Sequence, residues 1–244
     1  MALLDSWMPG DHSASGVRHP TYRKGTGPGV IVIHEIPGLT PSVIGFGEEL
    51  VAAGYTVVMP HLFGEPERPM NPLSVVSTLR QVCVSKEFTT LAMRQTSPIA
   101  GWLRSLARDL HAELGGPGVG ALGMCFTGGF ALAMMVDDAV AAPVLAQPST
   151  PFPVSSSRKR DLNLSDADLA RVRARAAAGC EVLGLRYRGD PMSPRQRFDR
   201  LTEEIGDAFI RVELDGKLHG TVTEHRSQVA VDAVLTFFGE KLSA

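Results

Sequence analysis

Short runs of apolar, often β-branched residues recur along the chain, and segments with apolar positions every third or fourth residue lie between them. The runs "GVIVIH" (Gly29 to His34) and "YTVVMP" (Tyr55 to Pro60) are each ended by turn-forming residues and read as strands. Between them the spacing predicts a helix. It starts near Pro41 and Ser42, carries Phe46, Leu50 and Val51 on one face, and stops at Gly54, a residue type favoured just past a helix end. Similar periodicity predicts helices over Ser97–Leu114, Ser165–Gly179 and Ser193–Gly206, another around Ser74 to Val84, and a last one from Thr223 to Leu242. The runs "VGALG", "AAPVLAQ", "CEVLGLRY" and "AFIRVEL" separate these as further strands. The rest of Leu62 to Gln95 has no clear period and receives no assignment.

Strands that are apolar throughout, rather than alternating, are buried on both faces. The expected architecture is therefore α/β: a mostly parallel central sheet with helices on both faces. At 244 residues the chain is near the upper size for one hydrophobic core, and without a repeat or low-complexity tract it reads as one domain over 1–244.

Composition narrows the function classes. With 44% hydrophobic residues, 20% charged residues and a net charge of -2, the chain has no electrostatic arm and no affinity for phosphate backbones, so nucleic acid is not an expected partner. The opening "MALLDSWMPGDHSASG" lacks a basic n-region and carries Asp5 early, unlike a signal peptide. No apolar run approaches the ~18 residues of a membrane span, so a cytoplasmic protein without a membrane partner is expected. The three cysteines, Cys83, Cys125 and Cys180, have no paired close spacing, which argues against a disulfide framework and a zinc knuckle; no metal is expected.

Candidate chemistry begins in "GVGALGMCFTGGFALAMM" (Gly118 to Met135), where a buried strand runs into an apolar helix with Cys125 at the turn. A nucleophile on such a turn has a strained backbone and needs small neighbours, which Gly123, Gly128 and Gly129 supply. The helix terminus and a nearby imidazole would both favour a thiolate. Cys83 and Cys180 read as structural thiols, and Met124, Met134 and Met135 as core packing. Asp190 directly follows the strand "VLGLRYRG", and His219 follows "FIRVEL" after the short loop "DGKLH". Nucleophile, acid and histidine thus arrive in α/β-hydrolase order, each at the end of a strand. The carboxylate would orient the imidazole through Nδ1 and leave Nε2 for the thiol proton. Asp215 is a competing acid and His225 a competing base, both ranked lower: Asp215 shares the histidine's loop, and His225 falls in the expected first turn of the last helix.

From about Gly29 to Leu242 the chain resembles the dienelactone hydrolases (carboxymethylenebutenolidases), α/β-hydrolases with a cysteine nucleophile. The resemblance rests on "HEIPG" (34–38), "GMCFTGG" (123–129), "GDPMSP" (189–194) and "LHG" (218–220). It implies Cys125, Asp190 and His219 as the catalytic triad and Glu35 as a fourth catalytic residue that contacts the thiol and helps deprotonate it. It also implies an oxyanion hole made by the backbone N–H groups of Ile36 and Phe126. The implied activity is hydrolysis of a small-molecule enol lactone or activated ester through a thioester, without a cofactor, by a monomer or homodimer. The alternatives are a broad carboxylesterase or thioesterase, and a non-catalytic scaffold that binds a small ligand.

The sequence departs from the family pattern in three places. Thr127 stands where the family turn has a glycine. Thr223 stands where well-studied members carry an arginine for the substrate carboxylate, leaving Arg80, Arg94 or Arg188 as other sources of positive charge. The segment 148–179 is longer than its family counterpart and reads as an insertion: a lid, a dimer contact or, the preferred reading, a solvated decoration. Its basic run Arg158 to Arg160 reads as a solvated loop, and Ser165 with Asp168 as a capping-box-like pair at a helix start.

Overall fold

The computed structural model describes residues 2–85, 87–88 and 93–243. Its strands are β1 (Met8–Ala14), β2 (Val17–Lys24), β3 (Gly29–Ile33), β4 (Thr56–Pro60), β5 (Val119–Met124), β6 (Val140–Ala146), β7 (Val182–Tyr187) and β8 (Phe209–Leu214). Its α-helices are α1 (Pro41–Ala52), α2 (Pro72–Val84), α3 (Ile99–Leu114), α4 (Gly128–Met134), α5 (Ser156–Arg160), α6 (Asp166–Ala177), α7 (Arg195–Ile205) and α8 (Gln228–Leu242).

The apolar runs form the parallel centre of an eight-stranded sheet ordered β1-β2-β4-β3-β5-β6-β7-β8, in which only the β1–β2 and β2–β4 pairings are antiparallel. Successive side chains of a strand point to opposite faces, and β3 divides accordingly. Ile31 and Ile33 pack with Trp102, Leu103 and Phe198 in one core, while Val30 and Val32 pack with Phe46, Leu50, Val234 and Phe238 in the other. Helices therefore cover both faces, as the continuous apolar strands require.

The chain leaves β3 for β4 on one side and later leaves β5 for β6, β7 and β8 on the other. Loops at the carboxyl ends of β3 and β5 thus diverge and open a crevice, the usual ligand position in an open α/β sheet. Glu35 follows β3, and Cys125 follows β5.

Three local readings change. The β1–β2 hairpin had no apolar signal, because Met8–Ala14 is mostly exposed, and pairing with β4 supplies its order. The last helix begins at Gln228, so His225 lies in the preceding turn rather than within the helix. Ser165 caps α6 by accepting from the Asp168 N–H at 3.1 Å, but the Asp168 carboxylate turns away to Thr96 and Arg104 instead of closing a capping box.

The 148–179 segment is solvated only in part. Pro148–Pro151 and Asp161–Leu164 are buried, and the outer faces of α5 and α6 are exposed. The buried Arg197 guanidinium of α7 staples it by donating to the carbonyls of Pro148, Pro151, Arg158 and Asp161. Met124, Met134 and Met135 are core residues. Cys180 is a half-buried thiol near the Val140 and Ala141 carbonyls, and burial pushes its pKa up. Cys83 belongs to α2, but its side chain lies outside the described residues.

Candidate active site

Cys125 occupies the turn between β5 and α4 with φ +52°, a left-handed conformation costly for a residue with a Cβ. Its neighbours show why they must be small. A Cβ on Gly123 would lie 2.2 Å from the Thr127 carbonyl oxygen, and one on Gly128 would lie 2.6 Å from Pro148 Cα. Thr127 is accommodated at the glycine position because its side chain is used. Fully buried, its hydroxyl lies 2.9 Å from the Ile33 carbonyl, 3.0 Å from the Met124 carbonyl and 3.1 Å from the Met124 N–H. The turn is held on its other side by the loop after β6: Ser149 N–H donates to the Cys125 carbonyl at 2.8 Å, and the Thr150 hydroxyl to the Phe126 carbonyl at 2.7 Å. The Phe126 ring anchors the turn in an aromatic cluster with Phe63, Phe88 and Phe130.

Asp190 and His219 come together from separate strand ends. His219 Nδ1 lies 2.6 Å from Asp190 Oδ2, and Asp190 Oδ1 accepts from the Met192 N–H at 2.9 Å, which fixes the carboxylate. A ring nitrogen of His219 lies within 4.8 Å of the Cys125 sulfur. Burial is the largest single influence on His219 and disfavours its charge. The interactions with Cys125 and with Asp190 together outweigh it and push the pKa up to about 11.

Glu35 is 2% exposed, and burial raises its pKa against the opposing effects of the Thr223 hydrogen bond and the His219 charge. Its Oε1 accepts from the Thr223 hydroxyl, and its Oε2 faces Gln147 Nε2 at 3.5 Å. Gln147 is itself held by Thr221, whose N–H and hydroxyl both donate to its Oε1, at 3.0 and 2.6 Å. Glu35, Cys125 and His219 bring one donor atom each to within 4.8 Å of one another, a set of carboxylate, thiolate and imidazole that could also hold a metal ion.

Asp215 and His225 do not join the cluster. Asp215 is exposed and pairs with Arg188 at 3.2 Å, and His225 turns its Nδ1 to the His219 carbonyl. Of the arginines considered for substrate charge, Arg94 is paired with Asp166 on the surface, Arg188 with Asp215, and Arg80 lies on an exposed position of α2. Ile36 follows Glu35 in the turn that Gly38 N–H closes onto the Glu35 carbonyl at 2.8 Å. A cavity of about 350 Å³ is lined by residues such as Arg94, Asp161 and Leu164 but includes none of the clustered groups, so chemistry rather than cavity size locates the site.

Several supporting residues are absent from the sequence reading: Gln147, Thr221 and Arg186. Arg186, 2% exposed, braces the Asp190 loop by donating to the Ser193 carbonyl at 2.9 Å and the Arg188 carbonyl at 2.8 Å. For Gln147 and Arg186 the available signal was a polar residue ending or interrupting an apolar strand, as in "PVLAQ" and "VLGLRY".

Comparison with known proteins agrees with this fold. No curated protein sequence matches the chain. Among solved structures, a Klebsiella pneumoniae protein described as a dienelactone hydrolase superposes with TM-score 0.62 at 17% identity, over 97% of this chain and 100% of that one. A cold-adapted esterase from an Arctic intertidal metagenomic library gives 0.67 at 14% identity, over 96% and 93%. A dienelactone hydrolase-like promiscuous phosphotriesterase from metagenomic libraries gives 0.65 at 16% identity, over 97% and 98%. At these identities the likeness establishes the α/β-hydrolase fold. The profile of the dienelactone hydrolase family matches residues 17–215, most of the chain, so this protein belongs to the dienelactone hydrolase family of the α/β-hydrolase superfamily, a family of ester hydrolases.

Proposed function

We propose that this protein hydrolyses carboxylic esters, enol lactones and activated esters above all, through a thioester on Cys125. The observation that carries the reading is the imidazole of His219 held by Asp190 at 2.6 Å, with a ring nitrogen within 4.8 Å of the Cys125 sulfur.

In this mechanism His219 takes the thiol proton at Nε2, with the buried carboxylate of Glu35 as auxiliary base. The thiolate forms a bond to the ester carbonyl carbon, and the carbonyl π pair moves to oxygen, where the N–H groups of Ile36 and Phe126 stabilise it. Collapse breaks the bond to the leaving oxygen, which receives the proton from His219. Water, deprotonated by His219, then cleaves the thioester and regenerates the thiol. Because a thiolate leaves more readily than an alkoxide, the first step goes forward only with a good leaving group, such as an enolate. Amides are therefore poor substrates.

Thr223 favours neutral esters over carboxylate-bearing lactones. The position at which relatives hold a substrate carboxylate is engaged here with Glu35, and Arg94 and Arg188 are neutralised by surface acids. A free, reactive thiol also fits a reducing compartment such as the cytoplasm.

The test is hydrolysis of a dienelactone and of a neutral aryl ester, side by side, by the wild type and by Cys125→Ala. Turnover that is lost in the variant supports the reading, with the aryl ester preferred. A wild type that turns over neither, or a variant that matches it, leaves the scaffold alternative.

A further inference from the structure

His34 ends the apolar run of β3, is fully buried, and uses both ring nitrogens on backbone groups of two different loops. Its Nε2 lies 3.0 Å from the Leu62 nitrogen. A backbone N–H can only donate, so Nε2 is the acceptor and the ring hydrogen sits on Nδ1. Nδ1, 3.1 Å from the Glu35 carbonyl oxygen, is therefore the donor there.

The Glu35 carbonyl belongs to the same peptide unit as the Ile36 N–H. That unit is trans and planar, so the two groups point in opposite directions. Two donors converge on the carbonyl, His34 Nδ1 and the Gly38 N–H, the latter at 2.8 Å, and occupy both of its lone pairs. The plane of the peptide is thereby fixed, and with it the direction of the Ile36 N–H. The Phe63 ring stands edge-on to the imidazole at 4.4 Å between centroids and prevents it from turning.

We infer that His34 is a positioning residue for ester hydrolysis: by holding the Glu35 carbonyl it aims the Ile36 N–H at the oxyanion of a substrate attached to Cys125. The inference rests on the proposed ester hydrolysis. It assigns His34 no contact with substrate and no proton transfer. Its cost is confined to the step in which charge develops on the carbonyl oxygen, since a misaligned donor weakens binding of the transition state while leaving ground-state binding alone.

The experiment compares His34→Phe and His34→Asn with the wild type on a neutral aryl ester, alongside alkylation of Cys125 by iodoacetamide. Alkylation is a displacement at a saturated carbon that forms no oxyanion, so it reports the thiolate without the oxyanion hole. For His34→Phe, kcat is expected to fall about 10²-fold, with KM and the alkylation rate within about threefold of wild type. In His34→Asn, which keeps an N–H donor at the Nδ1 position, at least about tenfold of the loss is recovered. A folded His34→Phe with wild-type kcat, a parallel fall in alkylation, or no recovery with Asn overturns the inference. ¹⁵N spectra of the wild-type imidazole provide a readout that survives a variant that cannot fold: hydrogen on Nδ1 is expected, and hydrogen on Nε2 refutes the clamp. A wild type that hydrolyses no ester yet carries the Nδ1 hydrogen defeats the ester-hydrolase reading and leaves the peptide clamp standing.

Discussion

Thr127 Oγ1 lies 2.9 Å from the carbonyl oxygen of Ile33, so the nucleophile turn is tied directly to the end of the neighbouring strand that carries Glu35. The glycine usual at this position could make no such tie. Thr127→Val preserves shape but leaves the Met124 N–H and the Ile33 carbonyl without their partner inside the core. Leaving such groups unpaired costs about 1–3 kcal/mol. Urea unfolding should show a lower midpoint at unchanged slope, and Thr127→Ser should lie close to wild type. Equal midpoints for Val and wild type would remove the tie from the account of this turn.

Glu35 makes a second prediction, in which stability and function oppose each other. Burial raises its pKa above the unfolded value. The folded state then binds more protons than the unfolded one between the two values, so this residue's contribution is fully present below the unfolded pKa and is lost as pH rises through the folded pKa. Glu35→Gln removes the charge but keeps the shape. At pH 7 it should melt higher than wild type, and the difference should vanish towards the unfolded carboxylate pKa of about 4.3. Its ester hydrolysis should be slower at every pH. Thermal melting of both proteins across that range decides the matter, and a variant less stable at pH 7 would show that its contacts with Thr223 and Gln147 outweigh burial.

How far such behaviour could be read from the sequence differs between the scaffold and its supports. The central strands were legible because burial on both faces leaves an unbroken apolar run, and Cys125, Asp190 and His219 stood out as candidates because each lies at or shortly after the end of a strand. β1 and β2 were not legible: β1 is mostly exposed and β2 mostly half-buried, they carry Pro9 and Pro20, and their order comes from the antiparallel register Thr21–Pro60 to Lys24–Val57 with β4. The start of α8 was misplaced because 223–227 contains residues a helix tolerates, whereas Thr223 and His225 serve Glu35 and the His219 carbonyl. Gln147 was missed for a related reason. Its partners, Thr221 and Glu35, lie far away along the chain, and no local pattern encodes a buried polar network of that reach.

Removing the Cys125 charge should release His219. The elevated pKa of about 11 is opposed by burial and sustained mainly by Cys125, with Asp190 contributing through its hydrogen bond. In Cys125→Ala the Cys125 contribution is lost while burial persists, so the pKa must fall. Titration of the His219 ring protons by NMR should show no transition through neutral pH in the wild type and one displaced downward in the variant. An identical curve in both would mean that the thiol and the imidazole are not coupled.

Thiophilic metal ions should act as inhibitors at the same place. Glu35, Cys125 and His219 offer carboxylate, sulfur and imidazole donors within 4.8 Å of one another, and Asp190 on His219 Nδ1 orients the ring as an outer carboxylate does in zinc sites. Tetrahedral zinc accepts such a set with a fourth position left to water, whereas Mg²⁺ prefers oxygen ligands in octahedral geometry. Added Zn²⁺ should therefore suppress ester hydrolysis reversibly, with EDTA restoring it, and Mg²⁺ should have no effect. Loss of an outer-shell partner weakens metal affinity about 10- to 100-fold, so Asp190→Asn should lose protection of Cys125 against iodoacetamide by Zn²⁺ to that extent. Protection follows the thiol itself and needs no turnover, which keeps the measurement meaningful in a variant whose hydrolysis is already impaired. Inhibition that persists after EDTA, or protection that is the same with Mg²⁺, would place the metal effect elsewhere on the protein.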